Sequence, residues 1–166
     1  MACARCVGEG RGGQYRHVAG ELEITARITL AEPPARVWQV ALDWSRQHEW
    51  IWATRARGGA AAGAAVVART GLGPVGFTDT MEITEWDPPR RAVVRHTGRV
   101  IRGIGVFEVV PAGNGTGKSQ ENGAEFRWTE RVPVPAPLAG PIGERLLIPV
   151  GRWFLQTSLR RLARLV

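Results

Sequence analysis

The chain has 166 residues, the length of one ordinary domain, and its apolar content of 44% is typical of a globular protein. Its longest apolar runs are far shorter than the roughly 18 residues of a membrane-spanning helix, and the sequence does not begin with an apolar secretory signal. The net charge of +7 comes almost entirely from scattered arginines, which does not favour a nucleic-acid footprint. We therefore expect a cytoplasmic protein without a membrane span.

Residues 1–19 are rich in glycine and arginine and have no hydrophobic periodicity, which predicts a disordered N-terminal arm. The arm contains both cysteines, Cys3 and Cys6, at a spacing that can hold zinc or close a disulfide. Zinc needs two further ligands, and His17 is the only nearby candidate. We therefore expect a loose extension with no metal, and we expect no cofactor elsewhere.

The first elements of the domain are a strand and two short helices. Residues 21–30 alternate apolar and polar side chains, as a half-buried strand does. Pro33 and Pro34 suit the first turn of a helix, and apolar residues then recur at helical spacing. A second, short helix is predicted over 45–52, with Ser45 as its cap.

The rest of the chain predicts antiparallel strands followed by one long helix. The polar segment 111–124 interrupts the strands, and Leu155, Leu159, Leu162 and Val166 form an apolar stripe on the helix, which we expect to kink at Pro149 and Gly151. The predicted elements are a turn and strand within 58–71, strands over 75–86, 91–101, 104–110 and 125–132, a turn at 87–90, a hairpin at 102–103, a proline-rich linker over 133–141 and a helix from 142 to the end.

This order of elements resembles the START-like superfamily, also called SRPBCC or the polyketide cyclase and lipid-transport family. "ITLAEPPARVWQVALDWSRQHEW" resembles the family's first strand and its two helices, "TEWDPPRRAVVRH" its mid-sheet hairpin, and "FEVVPAGNGT" with "FRWTE" its last hairpin, which "GKSQENGA" lengthens here. The resemblance covers residues 20–166. It implies an α+β helix-grip domain, in which a curved antiparallel sheet wraps a long C-terminal helix and leaves a cavity between them.

A second motif, "AGNGTGKS" at 112–119, loosely fits a phosphate-binding loop. Such a loop needs a helix that starts at its end and points its N-terminus at the anion. A turn and a strand follow Ser119 instead. We therefore expect a flexible hairpin tip and no nucleotide site at residues 112–119, with no role for Lys118 in binding nucleotides.

Three predicted strands each place one ionisable side chain on an otherwise apolar inner face. Asp79 lies among Phe77, Met81 and Ile83, His96 lies among Ala92, Val94, Gly98 and Val100, and Glu130 lies among Phe126, Trp128 and Val132. A lone buried charge is costly, so each group must be paired, neutralised or hydrated. A cavity containing water would satisfy all three.

The predicted turns place two of these three groups together. A hairpin centred between Pro88 and Pro89 sets His96 opposite Met81 and makes Asp79 its diagonal neighbour, at about 7–8 Å and within side-chain reach. A second hairpin at 102–103 sets Gly105 opposite Val100. If Glu130 faces Gly105, it lies across the pocket from the pair without touching it. We therefore expect Glu130 to be unpaired and partly hydrated.

Aromatic and apolar side chains supply the remaining candidates. Of the seven tryptophans, Trp38, Trp44 and Trp86 are expected to pack in the core. Ligand pockets are mostly apolar with a few polar anchors. The expected ligand-lining residues are Trp50, Trp52, Phe77, Met81, Val94, Phe107, Phe126, Trp128 and Trp153, with Asp79, His96 and Glu130 as the candidate catalytic residues.

The residues and the resemblance favour the binding, and by extension the transport, of a hydrophobic lipid or polyketide-like molecule. One alternative is an aromatase or cyclase of the polyketide type, in which the acid–base groups move protons. The other is a module that binds protein or RNA through its basic surface. Whether the protein is an enzyme, and its oligomeric state, stay open at this point.

Overall fold

The computed structural model describes residues 6–10, 13–18, 21–112, 123–134 and 141–166. Nine strands and three α-helices lie within these ranges, with a 3₁₀ turn over Trp44–Arg46. The strands are β1 (Cys6–Gly10), β2 (Gly13–Val18), β3 (Glu21–Leu30), β4 (Thr54–Gly58), β5 (Ala65–Leu72), β6 (Val75–Asp87), β7 (Arg91–His96), β8 (Gly103–Pro111) and β9 (Ala124–Pro133), and the helices are α1 (Pro34–Ala41), α2 (Gln47–Trp50) and α3 (Pro141–Leu162).

All the strands join one antiparallel sheet in the order β1-β2-β3-β9-β8-β7-β6-β5-β4. Its seven strands β3–β9 form the curved sheet of a helix-grip fold, which confirms the predicted α+β class, and α3 is the long C-terminal helix. Helix α3 packs closely on β3 at Gly151, where an added Cβ atom would lie 2.6 Å from Ile24 Cδ1. The small residue therefore allows the close packing of helix on sheet.

The two short helices follow the predicted positions with one change of cap. Helix α1 begins at Pro34 with Pro33 as its N-cap, and its apolar face is buried. The next turn is capped by Asp43 rather than by Ser45, because Asp43 Oδ1 accepts a hydrogen bond from the Ser45 backbone N–H at 3.0 Å. The carboxylate thus satisfies a backbone donor that the start of the turn leaves free.

Two strands differ from the prediction, β7 in its length and β4 in being absent from it. Strand β7 ends at His96 rather than at residue 101, because the chain leaves the ladder there and Thr97 bonds instead to the Thr80 carbonyl. Residues 97–102 therefore form a longer connection than the two-residue hairpin expected at 102–103. Strand β4 was not predicted, since this edge strand buries only Thr54 and shows no alternation.

The N-terminal segment also differs from its prediction. In place of a disordered arm over 1–19, β1 and β2 form a hairpin that pairs with the free edge of β3, from Gly13 opposite Ala26 to Val18 opposite Glu21. Backbone pairing of this kind does not require hydrophobic periodicity. Cys3 and the loop residues 113–119 lie outside the described residues. Within the described ranges, no helix is long and apolar enough to cross a membrane.

The core lies between the inner face of the sheet and the three helices. Trp38 and Trp44 are buried and pack on Trp86, with ring centroids 5.2 and 6.1 Å apart, as predicted. On α3 the side chains of Leu155, Leu159 and Leu162 are buried. The apolar stripe read from the sequence is therefore the face that the sheet covers.

Candidate functional site

Asp79 and His96 form a buried ion pair on the inner face of the sheet. Met81 pairs with His96 in the β6–β7 ladder, as predicted, so Asp79 lies one diagonal step away. His96 Nδ1 and Asp79 Oδ2 are 2.6 Å apart, and the two side chains are 7% and 6% exposed. The strand period thus brings together two residues that are 17 positions apart in the chain.

Glu130 completes the cluster, which corrects the expectation that it would be unpaired and would not touch the pair. Its Oε2 atom lies 3.2 Å from His96 Nε2, and its Oε1 atom accepts a hydrogen bond from Trp128 Nε1 at 2.7 Å. Its side chain is 20% exposed, more than either partner. The three groups, hereafter the Asp79–His96–Glu130 cluster, form a chain of hydrogen bonds across β6, β7 and β9.

Gly105 is the reason that Glu130 can reach His96. It lies directly opposite Glu130 on β8, the strand between β9 and β7, and opposite Val94 on its other side. A Cβ atom at this position would lie 3.1 Å from Glu130 Oε1 and 2.9 Å from Val94 Cγ2. Because glycine has no side chain, the carboxylate extends over β8. A glycine inside an apolar strand face is the sequence signal for such a close approach.

The cluster fixes the charge of the imidazole. Burial lowers the pKa of His96, but the hydrogen bonds and negative charges of Asp79 and Glu130 outweigh it and raise the pKa to about 10. At neutral pH His96 is therefore an imidazolium ion, and each ring N–H donates to one carboxylate. A cation held between two carboxylates leaves the cluster with one net negative charge.

This arrangement limits the chemistry of the three residues. An imidazolium whose two nitrogens both donate has no lone pair with which to accept a proton. The carboxylates flank opposite sides of the ring, and among the residues whose side chains the structure describes no group of histidine, cysteine and acidic residues is placed to hold a metal. Glu130, the most exposed member, is the group that is best placed to meet a bound molecule.

Most of the predicted ligand-lining residues meet in one aromatic cluster beside Glu130. The Trp128 ring lies 5.5 Å from both Trp50 and Phe107 and 6.2 Å from Phe154 of α3, measured between centroids. Phe126 stacks on Phe107 at 6.3 Å, and Val94 is buried beside them. Phe154 was not predicted. Its place on the partly buried side of α3 follows from the helical period.

The other predicted lining residues lie apart from this cluster. Trp52 and Trp153 contact each other edge to face at 6.3 Å and are 42% and 57% exposed, so they form a surface pair where α2 ends beside α3. Met81 is partly buried against the core, and Phe77 is partly buried near the start of β6.

Three buried polar atoms in the described part of the chain have no hydrogen-bond partner there. They are Trp50 Nε1, Asp79 Oδ1 and Ser158 Oγ. Leaving such a group unsatisfied costs about 1–3 kcal/mol, so each one needs a physical reason. Ser158 did not stand out in the sequence. It adjoins the apolar stripe of α3, where a buried hydroxyl is unexpected.

The comparisons with known proteins agree with this fold. The family model described as "Polyketide cyclase / dehydrase and lipid transport" matches residues 21–166. No curated protein matches the sequence significantly.

Many solved structures share the fold at low sequence identity. TTHA0849 from Thermus thermophilus aligns with a TM-score of 0.67 and 18% identity, over 86% of this chain and 94% of that one. Protein CV1439 from Chromobacterium violaceum aligns at 0.59 and 21%, over 87% and 96%. Protein Ms6760 from Mycobacterium smegmatis aligns at 0.59 and 18%, over 97% of both chains.

Proposed function

Because the chain belongs to the polyketide cyclase / dehydrase and lipid transport family, we propose that it binds a hydrophobic small molecule between the sheet and α3. The ligand is a lipid or a polyketide-like compound, and the Asp79–His96–Glu130 cluster holds its polar group. The observation that carries the proposal is the cluster itself, since it is a charged hydrogen-bond chain on an otherwise apolar face.

The surroundings of the cluster support a largely apolar ligand. The Trp128 ring, which donates a hydrogen bond to Glu130, packs against Trp50 and Phe107, and such aromatic walls suit flat or aliphatic molecules. The unpartnered indole N–H of Trp50 and hydroxyl of Ser158 are donors, and Asp79 Oδ1 is an acceptor. A ligand with a few oxygen atoms would satisfy such groups.

The net charge of the cluster selects among polar groups. One excess negative charge disfavours a carboxylate head group and favours a neutral hydroxyl that donates a hydrogen bond to Glu130. Neutral alcohols and phenols are therefore the better ligands. Fatty acids are the poorer ones.

A cyclase-type enzyme is the second candidate, and for it we propose that proton transfer falls to Glu130 rather than to His96. His96 is occupied on both nitrogens, so Glu130 would carry the proton while His96 holds its charge. Turnover of a poly-β-ketone substrate that Glu130→Gln abolishes, without loss of binding, would favour this candidate. A module that binds protein or RNA would require none of the inner-face groups.

The test is native mass spectrometry of freshly purified protein, followed by titration with farnesol, a long-chain fatty alcohol and a hydroxyanthraquinone. We expect at least one probe to bind and Glu130→Gln to weaken it by roughly tenfold, the effect of losing one hydrogen bond to a charged group. Glu125→Gln is the matched control, because Glu125 lies on the same strand with its side chain on the outer face. Binding of no probe, or equal binding by both variants, would refute the proposal.

A further inference from the structure

The outer face of the sheet, opposite α3, carries a polar cleft that is separate from the inner site. Its floor is formed by Thr25 and Thr129, which lie directly opposite each other on β3 and β9 with their hydroxyl oxygens 2.8 Å apart. Thr129 is buried although its side chain belongs to the outer face. The two hydroxyls share one proton between them, so the other proton is available to an acceptor above them.

Two arginines line the cleft next to the threonines. Arg27 and Arg127 lie directly opposite each other in the same ladder, two residues along from the threonines. Like charges in directly opposed positions destabilise a strand pair. Arg127 Nε donates to Glu125, whereas Arg27 forms no ion pair or hydrogen bond with any residue that the structure describes.

The remaining wall is Glu108, and its charge is already compensated. Arg91 Nη1 lies 2.5 Å from Glu108 Oε1, on the side away from the cleft floor. The cleft that these five residues line, Thr25, Arg27, Glu108, Arg127 and Thr129, has a volume of about 260 Å³. Its lining has two positive charges, of which Arg127 is paired with Glu125, and one negative charge, which is paired with Arg91.

We propose that this cleft binds a small oxyanion, the phosphate or carboxylate group of a metabolite. A guanidinium presents its N–H groups as a planar fork that matches two oxygens of such a group. An anion between Arg27 and Arg127 replaces their mutual repulsion by two attractions, and the threonine hydroxyl donates to a further oxygen. The cleft and the inner cluster lie on opposite faces of the sheet, so the two sites take different ligands.

The test uses inorganic phosphate and acetate as probes, with sodium chloride at matched ionic strength as the reference. We expect saturable binding of at least one probe at roughly millimolar affinity, as suits an open surface site, followed by the NMR signal of the Arg27 side-chain Nε–H. Arg27→Gln should weaken binding about tenfold. Arg57→Gln, the same charge change at an exposed position on β4, should leave it unchanged.

Two further variants separate this site from general electrostatics and from the inner site. Thr25→Val keeps the branched shape and removes a hydroxyl, so it should weaken binding severalfold at constant charge. Glu130→Gln should bind the anion as the wild type does. The proposal is overturned if neither probe saturates, if Arg57→Gln weakens binding as much as Arg27→Gln, or if Thr25→Val binds as tightly as wild type.

Discussion

Strands β6 and β7 carry two ion pairs of equal length, one on each face of the sheet. On the inner face, Asp79 and His96 are 2.6 Å apart with side chains that are only 6% and 7% exposed. On the outer face, Glu82 and Arg95 are also 2.6 Å apart, but their side chains are 42% and 57% exposed. The two pairs therefore differ in the burial of their side chains and not in the distance between their charged atoms.

The two pairs differ in what they contribute to the folded protein, because only the outer one is exposed to water. Water screens the outer pair and solvates either member when the other is removed, so the pair adds little to stability. The inner members have no such alternative, and the charge of His96 depends on its two carboxylate partners, Asp79 and Glu130. The raised pKa of His96 expresses this dependence, because the folded protein holds a proton that an exposed histidine would release near neutral pH.

The largest effect expected from this comparison is that of Asp79→Ala. The substitution leaves the imidazolium buried with Glu130 as its only carboxylate partner, and we expect the free energy of unfolding to fall by about 3 kcal/mol or more. Asp87→Ala is the matched control on the same strand, since Asp87 pairs with Arg90 where both are more exposed. Urea unfolding of both variants measures the difference. Equal losses would show that burial does not govern the inner pair.

A smaller, continuous effect follows from the pKa of His96, which is raised from 6.5 to about 10. A histidine whose pKa is higher in the folded than in the unfolded protein stabilises the fold fully at pH values below the unfolded-state pKa. This stabilisation is lost as the pH rises from the unfolded-state pKa toward the folded-state pKa. We therefore expect the free energy of unfolding to fall by about 1 kcal/mol per pH unit between about pH 7 and about pH 9. In His96→Gln the slope should be much flatter.

An NMR titration of the His96 ring in the wild type checks the same claim without any substitution. The imidazole signals should stay those of the protonated form through neutral pH, because the pKa of His96 is raised to about 10. A His96 ring that loses its proton near neutral pH would contradict the cluster.

The sequence predicts the pairing of Met81 with His96, which places Asp79 beside His96, and the structure has this pairing. Two departures from the predicted hairpin cancel to produce it. The turn is centred on Pro89, since Asp87 pairs with Arg91, whereas the predicted centre between Pro88 and Pro89 would pair Asp87 with Arg90. A β-bulge between Ile83 and Glu85 then shifts the ladder by one residue and restores the pairing of Met81 with His96. Such a bulge follows from sheet curvature and not from local alternation.

The contact of Glu130 with His96 required information that alternation lacks. The periodicity assigns each residue to the inner face, and the pairing of Glu130 with Gly105, which the sequence leaves as a supposition, is present in the structure. The sequence predicts a tight hairpin between β7 and β8, however, and this sets Gly105 opposite Val100 instead of Val94. That error of register moved Glu130 away from His96 along the sheet. Alternation assigns side chains to a face of the sheet, but it does not give the length of an irregular connection. The register of the strands on either side of such a connection therefore cannot be predicted from it.

The weakest effect that we expect is the coupling between the exposed members of the outer pair, Glu82 and Arg95. A double-mutant cycle on Glu82 and Arg95 should give a coupling energy of about 0.2–1 kcal/mol that decreases with added salt. The corresponding cycle on Asp79 and His96 should give a coupling at least about twice as large and nearly independent of salt, because buried charges are little screened. The two cycles share strands and atom-to-atom distance, so they compare burial together with the second carboxylate, Glu130, that His96 contacts. If the two coupling energies agree, the inner pair is hydrated in solution, and the charge that Glu130 is proposed to present to a ligand is screened by water in the same way.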